Sequence, residues 1–430
     1  MKVALVNPPW RFENSIYFGC RAPHLPLELG YTRALLTDAG HDVLMLDGHL
    51  CDQSAEELAH DIAAFGPDMT VVTTAPSYLF WRCAQPELWV PREFLLALGG
   101  RGGTTVAVGP HGSATPRAVL RKLGVDIVVL GECEEVIVDL ASGRPLDDIP
   151  SIAYRSGDDV AINGRPHAAQ FVDFKPLRWP SEWIVRHHHH HHRFEREPDG
   201  PGAEVEASRG CPYACTFCAK MDFRDRYRRR DLNFLLEEID GLIAQGVTYF
   251  YFIDEIFLPN AELLAALAER KVAFGIQTRI DLWKPELIDA LGNAGCVSIE
   301  AGVESLSAEG RDVLAKRCRL STDELAERLI YARRTIPFVQ ANLIKMAGDD
   351  PRQIAEWREK LQSHGVWAND PVPLYPYPSS PDYYRLWGAP DDHAWERAHA
   401  HYLAQFTELS ELQDERPRPL SELEATCCQN

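Results

Sequence analysis

The sequence has no apolar run of the roughly 18 residues that a membrane-spanning helix needs. Its opening stretch, MKVALVNPPW, meets a Pro-Pro break after one strand's length of apolar residues. Neither a signal peptide nor a membrane anchor is expected there, and the protein is expected to be soluble and cytoplasmic. Positive charge is also scarce. With 44 Lys plus Arg against 63 Asp plus Glu, the formal charge is −19, which disfavours broad nucleic-acid binding because that mode needs a basic surface to displace counterions. A paired disulfide framework is missing too, since 11 cysteines is an odd count in a large chain, and reduced thiols or metal ligands are the expectation. What is present is ordinary. At 45% apolar and 25% charged residues the composition excludes disorder, collagen and coiled coil. A length of 430 residues predicts two or three domains.

Strand and helix signals alternate regularly through the first 140 or so positions. Apolar strands are expected at Lys2–Asn7, His41–Asp47, Asp68–Thr74, Thr104–Gly109 and Asp126–Gly131, with helical patterns between them. One of those helices is expected to be capped by Ser54 and stopped at Gly66. Short βα units of this kind imply a doubly wound parallel sheet of flavodoxin or Rossmann type, with ligands at the C-terminal strand ends. From 146 to 202 the pattern fails in a stretch rich in Pro, Gly and charge, read as a connector between domains. The beat then resumes over 203–385 with six strands, implying a second parallel α/β unit. Residues 386–430 read as a helical, then acidic, tail.

The first strand of the second unit runs into RGCPYACTFC, placing Cys211, Cys215 and Cys218 within eight residues. Three thiolates so close on one loop suit three irons of a 4Fe–4S cubane with the fourth iron left open, whereas zinc would call for a tetrahedral set. Here the sequence resembles the radical S-adenosylmethionine (SAM) superfamily, with an aromatic, Phe217, just before the third cysteine. The resemblance implies a partial (β/α)6 barrel of TIM type. It also implies SAM chelated by its amino and carboxylate groups on the open iron and cleaved to a 5′-deoxyadenosyl radical. By the same resemblance, strand-end residues Asp254, Glu255, Gln277, Arg279, Glu300 and Glu304 are candidates for SAM binding, with Lys345 near the same mouth.

The first unit resembles the cobalamin-binding domain that precedes the barrel in cobalamin-dependent radical SAM proteins, on the strand ends VNPPW, TTAPSY, VGPHG and LGECEE. The cobalamin contacts so implied are Pro9, Trp10, Thr73, Ser77, Tyr78, Gly109, Pro110, His111, Gly131 and Glu132. Gly109 and Gly131 are expected to let backbone approach the corrin. The sequence departs from many cobalamin proteins in one respect. The first loop, Asn7-Pro8-Pro9-Trp10, has no histidine, and Asp47-Gly48-His49 matches the D-x-H-x-x-G motif only superficially, after the second strand. Cobalt is therefore expected without a histidine below it, with Trp10, Tyr78 or Trp81 packed nearby. A rival resemblance rests on the spacing of Cys20, Cys51 and Cys83, which is similar to the second-cluster cysteines of methylthiotransferases.

Three signals stay open. Six consecutive histidines, His187 to His192, are either connector or functional. The segment Lys220 to Arg230 carries six basic and two acidic residues, for the SAM carboxylate, an anionic substrate, or ion pairs with Glu237 and Glu238. Cys427 and Cys428 form a vicinal pair for soft ions or redox relay, or are inert. The resemblance as a whole implies a cobalamin-dependent radical SAM methyltransferase acting at an unactivated carbon of a small molecule. It would use a 4Fe–4S cluster, SAM, cobalamin and an external one-electron reductant of flavodoxin or ferredoxin type. A rearranging or cyclising relative, a two-cluster methylthiotransferase and a non-enzymatic cobalamin sensor are the alternatives.

Overall fold

A computed structural model describes residues 1–16, 21–76, 84–187, 200–407, 409, 413 and 415–425. The first sheet has seven strands: β1 (Lys2–Asn7), β2 (Asp42–Asp47), β3 (Met69–Thr73), β4 (Thr104–Val108), β5 (Ile127–Val129), β6 (Ile152–Ser156) and β7 (Asp159–Asn163). Their spatial order is β2-β1-β3-β4-β5-β6-β7. The first five are parallel, and the order reverses between β1 and β3, where open α/β sheets bind ligands. β3 reads MTVVT and is buried at every position, as a parallel strand covered on both faces requires. The expected cap is present. Ser54 Oγ accepts from the Glu57 N–H at 3.2 Å while Glu57 accepts from the Ser54 N–H at 2.8 Å. The helix Ala55–Phe65 then stops at Gly66, whose φ of 63° spares a side chain the left-handed strain.

The sheet runs past the expected boundary near residue 145. β6 and β7 form an antiparallel hairpin that completes it, so the first part of the supposed connector belongs to the first domain. Residues 169–184 of that stretch are packed rather than loose. Phe171, Phe174, Leu177, Trp179 and Trp183 are buried together with Tyr31 of the first domain and with Leu235 and Ile239 of the second.

The second unit begins with β8 (Gly202–Val205), followed by a small hairpin of β9 (Ser208–Arg209) and β10 (Arg228–Arg229). β11 (Tyr249–Phe252), β12 (Ala273–Thr278), β13 (Cys296–Glu304), β14 (Phe338–Leu343) and β15 (Trp367–Ala368) follow. Without the hairpin, these make a six-stranded parallel sheet of order β15-β14-β13-β12-β11-β8, the expected partial barrel. Register partners in a parallel sheet share a face. Glu204 pairs with Tyr251, Gly275 with Ser298, and Gln277 with Glu300, which itself pairs with Gln340. One face of the barrel is therefore polar. The alternate residues, such as Val205, Phe252, Ile276 and Val339, join the apolar core.

The helix that opens the expected tail, and the segment just before it, also pack on the first domain. Tyr375, Tyr377, Tyr383, Trp395 and Tyr402 share one core with Val3, Leu5, Val71 and Val106 of its sheet. Lys122 pairs with Glu396 at 2.7 Å and with Glu424 at 3.0 Å, fastening both the helix Ala394–Gln405 and the helix Leu420–Ala425. Cys427 and Cys428 lie outside the described residues, as do His188 to His192. Among the described residues no helix is long and apolar enough to cross a membrane. Because Trp395 is buried in this shared core, Trp395→Ala is expected to lower stability by about 3–5 kcal/mol, read from urea unfolding. A loss under about 1 kcal/mol would place that helix outside the core.

Candidate active site

The cysteine loop leaves β9 through Gly210, whose φ is 77° and whose missing Cβ would lie 2.1 Å from the Arg226 carbonyl oxygen. Only glycine fits there, and this fixes the loop's entry against the hairpin. Four further bonds hold the loop. Glu255 accepts from the Gly210 N–H at 2.7 Å, and Lys220 Nζ donates to the Cys211 carbonyl at 2.6 Å. The Thr216 N–H donates to the Leu314 carbonyl at 3.1 Å, and the Asp382 N–H to the Thr216 carbonyl at 2.9 Å. Cys211, Cys215, Cys218 and Phe217 are half-buried, and none of the three cysteines is disulfide-bonded. Among the described residues no three His, Cys, Asp or Glu side chains converge to hold one metal ion.

Immediately before the loop lies a buried charge network that joins the two domains. Arg209 bonds Glu206 through Nε and Nη2 at 2.9 and 3.0 Å, and its Nη1 reaches Glu132 at 3.1 Å and Glu134 at 2.6 Å. Arg224 bonds Glu206 at 2.6 Å, Glu255 at 3.3 Å and Glu28 at 3.2 Å. Burial pushes Glu28 up to about 8, against the pull of both arginines. Arg228 and Arg209 overcome the same effect at Glu132 and hold it below the usual carboxylate range. Glu132 was expected to face cobalamin. Its oxygens go instead to Arg209, Arg228 and the Ala169 N–H. Of the basic segment 220–230, Arg224, Arg228 and Arg230 are thus structural, with Arg230 on Glu238 at 2.8 Å as one of the open readings had it.

The strand-end candidates divide into two groups. Asp254 accepts from the Ala207 N–H at 2.8 Å and from Ser208 Oγ, and burial pushes it up to about 8. It shapes the strand-to-loop turn, as Glu255 does. Gln277 and Arg279 sit at the end of β12 and Glu304 at the end of β13, whereas Glu300 lies in the middle of β13. Arg279 chelates Asp281 at 3.1 and 2.8 Å and lies over the Tyr213 ring at 4.3 Å, while its buried Nη1 has no partner among the described residues. Glu304, at φ 66°, receives Lys316 Nζ at 2.6 Å, and both charges act on Cys215. Tyr251 donates to Glu300 at 3.4 Å. Lys345 is exposed at the end of β14. Lys316 was not anticipated from sequence, since nothing local in VLAKRC marks its partner twelve positions earlier.

In the first domain, Trp10 is buried and donates from Nε1 to Asn7 Oδ1 at 2.7 Å. Thr73 donates to the same oxygen at 3.0 Å, and Asn7 in turn donates to Asp47 at 2.9 Å. Pro9 shares this loop. Pro110 opens a short helix after β4. His111 within it is fully buried, donates from Nε2 to the Gln85 carbonyl at 2.9 Å and stacks on Trp395 at 4.2 Å; burial holds it down at about 3. Protein contacts by themselves already require glycine at Gly109 and Gly131. A Cβ at Gly109 would meet Thr74 Oγ1 at 2.5 Å, and one at Gly131 would meet the His167 backbone at 2.4 Å. Buried atoms with no partner among the described residues gather beside them: Thr74 Oγ1, both side-chain atoms of Gln85, His111 Nδ1, Tyr375 OH and Trp395 Nε1. Ser77, Tyr78, Trp81, Cys20 and Cys83 lie outside the described residues.

A second inter-domain contact escaped the sequence. Glu204 on β8 is sandwiched between His24 of the first domain, at 2.7 Å, and His187, at 3.2 Å, all buried. Burial raises the Glu204 pKa, but the two imidazoles outweigh it and hold the carboxyl at about 2. The first histidine of the run is therefore structural.

Comparison with known proteins agrees with this arrangement. Residues 205–361 match the Radical SAM superfamily and residues 21–141 match the B12 binding domain. The chain is a radical SAM enzyme. The B12-binding domain ahead of its barrel places it among the cobalamin-dependent members. It is 26% identical to an uncharacterized methyltransferase, PH0819, of Pyrococcus horikoshii over 74% of this chain and 68% of that protein. It is 25% identical to the anaerobic magnesium-protoporphyrin IX monomethyl ester cyclase of Cereibacter sphaeroides over 87% of this chain and 63% of that one. The chain thus spans about two thirds of the length of these relatives. The radical SAM methyltransferase TsrM of Kitasatospora setae, solved with cobalamin and a [4Fe-4S] cluster bound, shares the fold. Its TM-score is 0.70 at 18% identity, covering 88% of this chain and 76% of that one.

The proton on Asp254 makes a prediction. Its carboxyl is raised from 3.8 to about 8 by burial, so between those values the folded chain keeps a proton that the unfolded chain has released. Its contribution to stability is full below the unfolded value and is lost as pH rises through about 8. Asp254→Asn is expected to match wild type in urea midpoint below about pH 4 and to exceed it by a margin that grows up to about pH 8 and is constant above. Equal pH slopes would refute the buried proton.

Proposed function

We propose that the chain transfers a methyl group to an unactivated carbon of a small-molecule substrate, using a 4Fe–4S cluster on Cys211, Cys215 and Cys218, together with SAM and cobalamin. The observation that carries this reading is the meeting of the C-terminal strand ends of the two sheets. Glu132, after β5, bonds Arg209, two residues before Cys211. Pro110 and Ser113, after β4, line one small pocket of about 20 Å³ with Ala219 and Phe223 of the segment that follows the triad.

The residues fit the three groups. Three reduced thiols on one fixed loop suit an iron–sulfur cubane with an open iron. The unmatched Arg279 Nη1 suits a carboxylate such as that of SAM. The unsatisfied buried atoms of Thr74, Gln85 and His111 suit the amides and phosphate of a corrin's side chains. When bound, SAM on the cluster supplies a carbon-centred radical that takes hydrogen from the substrate, and cobalamin supplies the methyl group. The chain's part is to orient and to exclude water. Arg279 directs a carboxylate from the β12 end, Lys316 holds the Glu304 carboxylate in place beside Cys215, and the Arg209 network seals the seam between the domains.

The cyclase among the relatives supports a second reading, in which the same cofactors rearrange or cyclise the substrate without methyl transfer. The two-cluster reading loses support, because the B12-binding match covers the positions of Cys51 and Cys83. An external one-electron reductant completes the proposed partners, with no nucleic acid among them. Anaerobic reconstitution is expected to give about four irons and one corrin per chain, and to release both 5′-deoxyadenosine and S-adenosylhomocysteine with substrate. Cys215→Ala is expected to lose the iron and SAM cleavage while corrin binding, followed by visible absorbance, stays within about twofold. Failure of the wild type to bind corrin would overturn the reading, and 5′-deoxyadenosine without S-adenosylhomocysteine would favour the non-methylating one.

A further inference from the structure

Three distant parts of the chain wall one small pocket. Pro110 and Ser113 follow β4, Ala219 and Asp222 follow the triad, and Ser379 and Trp395 come from the chain beyond the barrel. Its polar groups are largely unspent. Asp222 is half-buried and has no cationic partner among the described residues; burial pushes its carboxyl up, and Ser379 alone pulls it back. Ser379 Oγ lies near that carboxyl, yet it is buried without a hydrogen bond among the described residues. Trp395 Nε1 is buried and unbonded in the same way. Ser379 also holds φ at 73°, a left-handed conformation that costs a residue with a side chain. Strained backbone of this kind collects at ligand sites, and buried polar atoms without partners call for a bound group.

Size and chemistry narrow that group. At about 20 Å³ the pocket admits one group little larger than a water, not a whole small molecule. Its wall offers an acceptor at Asp222, a donor at Trp395 Nε1 and a hydroxyl at Ser379 that serves as either. A primary amide has the matching halves, since its NH2 donates and its carbonyl accepts. A corrin ring is rimmed with such amides. The wall formed by Pro110 and Ser113 falls within the B12-binding match, in the same short helix as His111, whose buried Nδ1 is also unbonded.

We propose that one corrin side-chain amide enters this pocket, its NH2 donating to Asp222 and its carbonyl accepting from Ser379 and Trp395. Residues outside the B12-binding match then hold the corrin together with those inside it. Because Ala219 directly follows Cys218, the bound corrin fastens the exit of the cysteine loop to the first domain. The proposal rests on the reading of the first domain as a cobalamin site.

The test is a visible-absorbance titration of the corrin-free full chain with hydroxocobalamin, which reads binding without turnover. Asp222→Ala is expected to raise the Kd about tenfold or more, and Ser379→Ala about three- to tenfold. Ser379→Gly removes the strain with the hydroxyl, so it is expected to raise the urea midpoint while binding corrin as weakly as Ser379→Ala. A second arm uses hydroxocobalamin derivatives in which one side-chain amide at a time is hydrolysed to the acid. Wild type is expected to bind one of these acids about tenfold more weakly than the rest, because a carboxylate has no hydrogen to give Asp222. Asp222→Asn is expected to bind that same acid more tightly than wild type does, since its own amide donates. Equal Kd values for wild type, Asp222→Ala and Ser379→Ala would overturn the proposal, as would uniform binding of all the acids by wild type. The acid series on wild type decides the matter even if Asp222→Ala fails to fold. A wild type that binds no corrin would overturn the functional reading itself, and this proposal with it.

Discussion

The arrangement depends on two guanidinium groups that never meet solvent. Arg209 and Arg224 lie between three carboxylates of the first domain, Glu28, Glu132 and Glu134, and two of the second, Glu206 and Glu255. Taking such charges out of water is expensive, and the pairs repay this only in one geometry, so a network of this kind specifies position more than it adds stability. Arg209 is followed directly by Gly210 and Cys211. The packing angle of the domains, the hairpin and the start of the cysteine loop are therefore a single constraint. The surplus of negative charge is eased because Glu28, raised to about 8 by burial, stays protonated at neutral pH.

Glu204 with His24 and His187 repeats the same logic at the barrel's first strand, and both contacts use the polar barrel face that the strand register creates. The apolar counterpart is the seam of Phe171, Phe174 and Trp179, against which Arg209 rests 4.6 Å from the Phe171 ring. Aromatic faces over a buried cation supply attraction without adding another carboxylate. Together these contacts hold the C-terminal ends of the two sheets against each other, which a reaction shared between two cofactor sites requires.

Legibility in the sequence followed the distance over which each feature is encoded. The cysteine triad, the Ser54 cap, the Gly66 stop and ten or more strands are local patterns, and each was readable. β6 and β7 were lost because their hairpin, IAYRSGDDVAIN, is embedded among prolines and charges that signal a linker. The partners of Arg209 could not be read, since Glu132 and Glu134 precede it by more than seventy positions and only the fold brings them together. Gly109 and Gly131 were expected to admit a corrin, and nothing in the sequence signalled that a Cβ there would meet the Thr74 hydroxyl and the His167 backbone. The start of the tail read as helical, and it forms the helix Ala394–Gln405. That reading carried no information that the surface it covers belongs to the first domain.

That last contact has a consequence for synthesis. The sheet of the first domain leaves the ribosome early, yet its core lacks Tyr375, Trp395 and Tyr402 until the far end of the chain appears. At about 5–20 residues per second, the interval from β5 to Trp395 lasts roughly ten to fifty seconds. Through that time the apolar positions of β1, β3 and β4 remain a client surface for chaperones, and the barrel must assemble beside an unfinished neighbour. The nascent first domain thus keeps one apolar face uncovered until the far end of the chain is made.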